Sequence, residues 1–104
     1  MVEQPTPAAT YVIFDVDVQD AVGYRAFMSG VQSAVQEAGG EYLVRGGAHI
    51  VHEGDWQPRR IVLLRFPSQA AWEAFYHGAV YRGLKAIRDR SSAARLVSVQ
   101  GLDG

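Results

Sequence analysis

The chain has no cysteine, only two methionines and four prolines, and no excess of either charge, with ten basic against eleven acidic residues. Without cysteine there can be no disulfide, thiolate zinc site, thiol redox chemistry or cysteine nucleophile, although the compartment stays open on that ground. A net charge of -1 and a pI near 6.3 supply no broad pull toward phosphate backbones or anionic lipid, so neither nucleic acid nor membrane is an expected partner. No stretch approaches the roughly 20 consecutive apolar residues that span a bilayer. The start, Met1 to Thr10, holds Pro5 and Pro7 but neither the basic segment nor the apolar core of a secretion signal, and a cytoplasmic location is the expectation. Also missing are a Gly-x-Ser-x-Gly elbow, a Gly-x-x-x-x-Gly-Lys loop and a Gly-x-Gly-x-x-Gly turn, which leaves serine hydrolase, P-loop and dinucleotide-binding readings without local support.

What is present suits one folded domain. At 104 residues, 48% hydrophobic and 20% charged, the chain can fill a single core, and it is far from the apolar-poor balance of disordered sequences. We expect a flexible N-terminal segment over 1–9, one domain over 10–101 and a short tail over 102–104.

Tyr11 to Val18 alternates with a period of two, placing Val12, Phe14, Val16 and Val18 on one face of a strand. Asp20 can cap a helix in which Tyr24, Phe27, Val31, Ala34, Val35 and Ala38 recur at three- and four-residue spacing, with Gly39-Gly40 as its stop. Tyr42 to Arg45 and Ala48 to Glu53 read as one long strand bent at Gly46-Gly47, returning after a turn around Trp56 as the strand Arg60 to Phe66. Pro67-Ser68 starts a helical segment with Trp72 and Phe75 on one stripe, broken at Gly78. In the short helix that follows, Val80, Leu84 and Ile87 form the expected apolar stripe, with Tyr81, Lys85 and Arg88 on the stripe beside it. Ala94 to Gln100 closes the domain as a strand.

This order is the βαββαβ arrangement of an α+β, ferredoxin-like fold, with helices on one face of an antiparallel sheet. The third strand nevertheless has Val62, Leu64 and Phe66 on one side and Ile61 and Leu63 on the other, so both of its faces require cover. One chain lacks a second layer. The simplest cover is the same face of another copy, giving a homodimer whose interface totals on the order of 1,200–2,000 Å² or more.

Tyr24-Arg25-Ala26-Phe27, Gly39-Gly40, Leu43-Val44-Arg45-Gly46-Gly47, Glu53-Gly54-Asp55-Trp56, Arg60, Phe66-Pro67-Ser68, Phe75-Tyr76, Tyr81 and Arg88 stand together in order and spacing. As a set they resemble the domain-of-unknown-function 1330 family (DUF1330), within the dimeric α+β barrel superfamily, over about Thr10 to Gly101. The resemblance implies a ferredoxin-like fold and a dimer whose two sheets form a barrel. It implies no defined activity, since that superfamily includes cofactor-free monooxygenases, haem-processing enzymes and small lactone isomerases.

The candidate chemistry is basic and aromatic. Arg45, Arg60 and Arg88, with Trp56, Tyr76 and Tyr81, combine planar cationic forks that match carboxylates with flat apolar walls, the usual make-up of a pocket for a small anionic ligand. The competing reading is structural: Arg45 and Arg60 pair with Glu53, Asp55 or Asp15, and Trp56 plugs the dimer. Tyr76 and His77 are the catalytic candidates, His77 because imidazole titrates near neutral pH; the plainer reading makes His77 a rim residue. His49 and His52, three apart on a strand, point to opposite faces, and no metal or other cofactor is expected. Asp15 and Asp17 share a strand face, where proximity could raise one pKa, against the plainer expectation of solvated carboxylates at a strand end. Two functions remain open: a cofactor-free enzyme acting on a small anionic or aromatic organic molecule, or a non-catalytic ligand-binding or structural homodimer.

Overall fold

The computed structural model describes residues 8–102, so the expected segment 1–9 and tail 102–104 fall mostly outside the described residues. The elements are β1 (Thr10–Val18), α1 (Ala21–Glu37), β2 (Glu41–Arg45), β3 (Ile61–Phe66), α2 (Gln69–His77), α3 (Ala79–Ser91) and β4 (Ser92–Gln100). The strands form one sheet in the order β2-β3-β1-β4, with every neighbouring pair antiparallel. This is the α+β, ferredoxin-like fold.

Local chemistry explains where the helices begin and end. Asp20 has extended backbone angles and its carboxylate accepts from the Gly23 amide at 3.2 Å, so one otherwise unpaired donor at the start of α1 is satisfied. Ser68 does the same for α2, accepting from the Ala71 amide at 3.1 Å. α1 stops because Gly39 turns left-handed at φ 86°, while the Gly40 amide donates back to Val35 at 2.9 Å.

The core lies between the helices and one face of the sheet. Val12, Phe14 and Val16 of β1 and Val62, Leu64 and Phe66 of β3 supply that face, and Tyr24, Phe27, Val31 and Val35 of α1 cover it. Trp72 and Phe75 of α2 pack on Phe66 with ring centroids 5.4 Å away in each case. Helix α3 lies against α1 at two glycines seven residues apart. A Cβ on Gly30 would stand 2.6 Å from a Leu84 methyl, and one on Gly23 3.1 Å from the Ser91 Cβ. The two helices approach where side chains are smallest.

Two local expectations are corrected. Ala48 to Glu53 is not a strand: β2 ends at Arg45, Gly46 adopts φ 71°, and residues 47–57 are exposed and outside the sheet. Among the described residues the only neighbour β2 has is β3, which begins at Ile61, so 48–53 has no strand there to bond to. The Gly46 amide, donating to Ile61 O at 2.8 Å, marks where the pairing stops. The inward stripe of α3 also differs from the expectation: Leu84 and Ile87 pack against the core as expected, but Val80 turns outward and Tyr81 and Arg88 turn inward. Val80 is 68% exposed, whereas Tyr81 and Arg88 are buried at 1% and 3%. Tyr81 is drawn inward by stacking on Phe75 and Tyr76, at 5.0 and 5.5 Å between centroids, and Arg88 lies two turns further along the same stripe.

Among the described residues no helix covers the other face of the sheet. Ile13 sits in register with Leu63 on β3 and with Val97 on β4, and Tyr11 sits beside Val99. Val97 and Val99 are 58% and 51% exposed.

Candidate functional site

Between the helices and the core face of the sheet is a cavity of about 20 Å³, lined by residues from all three helices and three strands. Its walls are mostly apolar: Phe14 and Val16 from β1, Val62 and Leu64 from β3, Phe27, Met28 and Val31 from α1 and Phe75 from α2. The polar groups are three tyrosines, Tyr24, Tyr42 and Tyr81, and one cation, Arg88.

Each tyrosine carries an arginine. The Arg45 guanidinium carbon lies 5.7 Å from the Tyr42 ring centroid, Arg60 lies 5.7 Å from that of Tyr24, and Arg88 lies 5.9 Å from that of Tyr81. Strand alternation puts Arg60 on the same face as Val62, Leu64 and Phe66, and Arg45 pairs in register with Val62 on that face. The sheet therefore turns both arginines toward the helices.

Arg88 is the most enclosed of these groups. Its Nη1 donates to the Tyr81 hydroxyl at 2.6 Å and its Nη2 to Asp89 at 3.3 Å, while its Nε is buried with no partner. Because the Tyr81 oxygen already accepts from Arg88, its own proton is free to point into the cavity. Burial pushes the Tyr81 hydroxyl up to about 12, with Arg88 pulling the other way, so it remains a neutral donor at physiological pH. Tyr42 is likewise pushed up to about 12, first by burial and then by Tyr24, against the opposing charges of Arg45 and Arg60. Asp89, half exposed, is held below the usual carboxylate range chiefly by Lys85, whose ammonium donates to it at 2.7 Å. A chain of polar contacts thus runs from Tyr81 through Arg88 and Asp89 to Lys85 at the surface.

The structure separates the candidate residues into three places. Tyr81 and Arg88 line the cavity, while Arg45 and Arg60 stand over Tyr42 and Tyr24, two of its lining tyrosines. Tyr76 stacks against Tyr81 but lines a groove on the outer surface with His77, Arg82, Lys85 and Asp89. His77 is exposed there and its ring nitrogen meets Glu73 at 3.0 Å. Trp56 lies on the opposite side of the sheet, in a hollow with Ile13, Asp15, Arg95 and Val97. Its indole donates to Asp15 at 2.9 Å, and the same carboxylate accepts from the Arg59 amide at 3.1 Å and from Arg95 at 3.0 Å. Asp15 is therefore not a solvated strand-end carboxylate, and its pKa is lowered rather than raised, first by the Trp56 hydrogen bond. His49 is bonded to the Pro58 carbonyl at 2.9 Å. Among the described residues no three His, Asp or Glu side chains come together to hold a metal, and no helix is long and apolar enough to cross a membrane.

Sequence reading did not single out Tyr24, Tyr42 or Asp89 as site residues. Tyr24 fell on the apolar stripe of its helix; the signal it offered was a hydroxyl among core positions, which needs polar surroundings when buried.

Residues 9–102 match the family described as a domain of unknown function, DUF1330. Comparison with proteins of curated function gives no match. Among solved structures, a protein of unknown function from Rhodopseudomonas palustris superposes with a TM-score of 0.75 at 17% identity, covering 97% of this chain and 88% of that one. A candidate antibiotic biosynthesis monooxygenase from Caulobacter crescentus superposes at 0.67 with 13% identity, over 94% and 93% of the two chains. SnoaB, a cofactor-independent oxygenase from Streptomyces nogalater, superposes at 0.63 with 7% identity, over 93% and 96%. Likeness at these identities establishes a shared fold.

Proposed function

The chain belongs to the DUF1330 family, and from that premise we propose that it is a homodimer in which each subunit binds a small organic anion between its helices and its sheet. The observation that carries the ligand reading is Arg88: 3% exposed, with an unpartnered Nε, and directed at an otherwise apolar cavity. Leaving a buried charged donor unsatisfied costs about 1–3 kcal/mol or more, and a carboxylate or enolate recovers that cost. Arg88 anchors the anion, the Tyr81 hydroxyl donates to it, and Tyr24 and Tyr42 supply flat walls.

The cavity as it stands has room for about one water molecule. Admission of an organic ligand displaces Met28, whose unbranched side chain adapts readily, and Tyr42, which sits on the five-residue edge strand β2. The dimer is supported by the uncovered apolar face around Ile13, Leu63, Val97 and Val99. Two such faces packed together give the barrel.

Within this frame the site can act as a cofactor-free enzyme. Arg88 and Tyr81 stabilise negative charge as it develops on an oxygen, the largest single contribution in many enzymes. Support comes from the shared fold with a cofactor-independent oxygenase. A non-catalytic binding dimer is favoured by a different observation: among the described residues no histidine or carboxylate, the usual general bases, lines the cavity. Tyr76 and His77 serve the enzyme reading only for a substrate that extends into the outer groove.

The test is a panel of small aromatic and aliphatic carboxylates and phenols at millimolar concentration, read by thermal shift and calorimetry. Binding by the wild type that Arg88→Met abolishes is the expected result. No binding by any member overturns the ligand reading. Turnover of a bound compound by metal-free, flavin-free protein then decides for enzyme over binder.

A further inference from the structure

A second arginine, Arg60, stands behind Tyr24, one of the tyrosines that line the cavity. Arg60 has its Nε buried without a partner, as Arg88 does, and among the described residues it makes no ion pair. Its guanidinium rests on the Tyr24 ring and fills the space that a Cβ on Gly46 would need. Gly46 is left-handed at φ 71°, so the turn that ends β2 also makes room for the cation. Arg45 stands on the neighbouring Tyr42 ring, again with no carboxylate in reach.

Charge balance then sets the kind of ligand. Of the four cations here, Arg45, Arg60, Lys85 and Arg88, only Lys85 and Arg88 meet an acid, and they share one, Asp89. A monoanion bound at Arg88 leaves the half-buried Arg60 uncompensated and its buried Nε without a partner, which costs free energy. We propose that the ligand is a dianion with acidic groups at both ends, one held by Arg88 and Tyr81 on α3, the other by Arg60 and Arg45 at the β2–β3 junction, with its body between Tyr24 and Tyr42. This rests on the reading of the cavity as a ligand site.

Calorimetry with four probes tests it: benzoate as a monoanion, benzene-1,3- and 1,4-dicarboxylate as two-ended dianions, and phenyl phosphate as a dianion charged at one end. At least one dicarboxylate should bind about tenfold or more tighter than benzoate, as one added charge-assisted contact allows. Arg60→Met should bring the dicarboxylate back to the benzoate level, whereas Arg88→Met weakens both. Arg45→Met, on an exposed side chain, repeats the selective loss in smaller measure without touching the core. If benzoate binds through Arg88 but neither dicarboxylate gains, or if phenyl phosphate binds tightest and ignores Arg60, the two-ended ligand is wrong and the site stands. If no probe binds the wild type, the site reading itself falls.

Discussion

The two faces of this sheet carry similar residues in different surroundings. On the helix side, Val62, Leu64 and Phe66 are sealed under α1 and α2, and three tyrosines there each carry an arginine. On the open side, Ile61 and Leu63 of the same strand are only half covered, with Val97 and Val99 exposed beside them, and the charges keep to the edges as Asp15–Arg95 and Glu41–Arg65 pairs. A face that is apolar at its centre and charged at its rim is built like an interface, whereas one that is apolar around an enclosed cation, Arg88, is built like a site.

Placing the same charge on either face gives the largest expected contrast. Leu64→Asp buries an unpaired carboxylate in the core, and the protein should lose its cooperative unfolding transition by circular dichroism. Leu63→Asp should leave the chain folded but monomeric by light scattering at micromolar concentration. A Leu63→Asp protein that still pairs, or a wild type that is already monomeric, would break the comparison.

Alkaline titration probes the helix side more gently. Tyr42 and Tyr81 ionise near 12 in the folded protein, against about 10 in the unfolded chain. Their contribution is therefore complete below about pH 10 and is lost as pH rises toward 12, by up to about 1.4 kcal/mol per pH unit for each tyrosine. Ultraviolet difference titration should find two phenols ionising near pH 12, and Tyr81→Phe should remove one of them.

Acid titration probes the open side, with the smallest effect. Asp15 has a lowered pKa, so its stabilisation is present above its unfolded value near 4 and is lost as pH falls through the folded one. Asp15→Asn should cost about 1 kcal/mol at pH 7 in denaturant unfolding and close to nothing once Asp15 itself is protonated. An equal cost at both pH values would show that Trp56 and Arg95 do not depend on its charge.

Periodicity alone settles much of this protein. The period of two in Tyr11 to Val18 and the three-four spacing from Tyr24 to Val35 each define a buried face, and Asp20, Gly39 and Ser68 mark helix ends through chemistry confined to one turn. The strand that is apolar on both sides, Ile61 to Phe66, already declares that one chain leaves a face uncovered. Such features depend on residues within a few positions of each other, so they can be read from order alone. The limits of β2, the inward turn of Tyr81 and Arg88, and the pairing of Tyr24 with Arg60 come from packing between separate elements. Whether 48–53 finds a strand to bond depends on where β3 begins, and whether Arg88 faces water or an apolar cavity depends on how close α3 comes to α1 at Gly23 and Gly30. Local pattern determined the layers, and tertiary contact decided which polar side chains were enclosed between them, because burial of a charge depends on every neighbour that surrounds it.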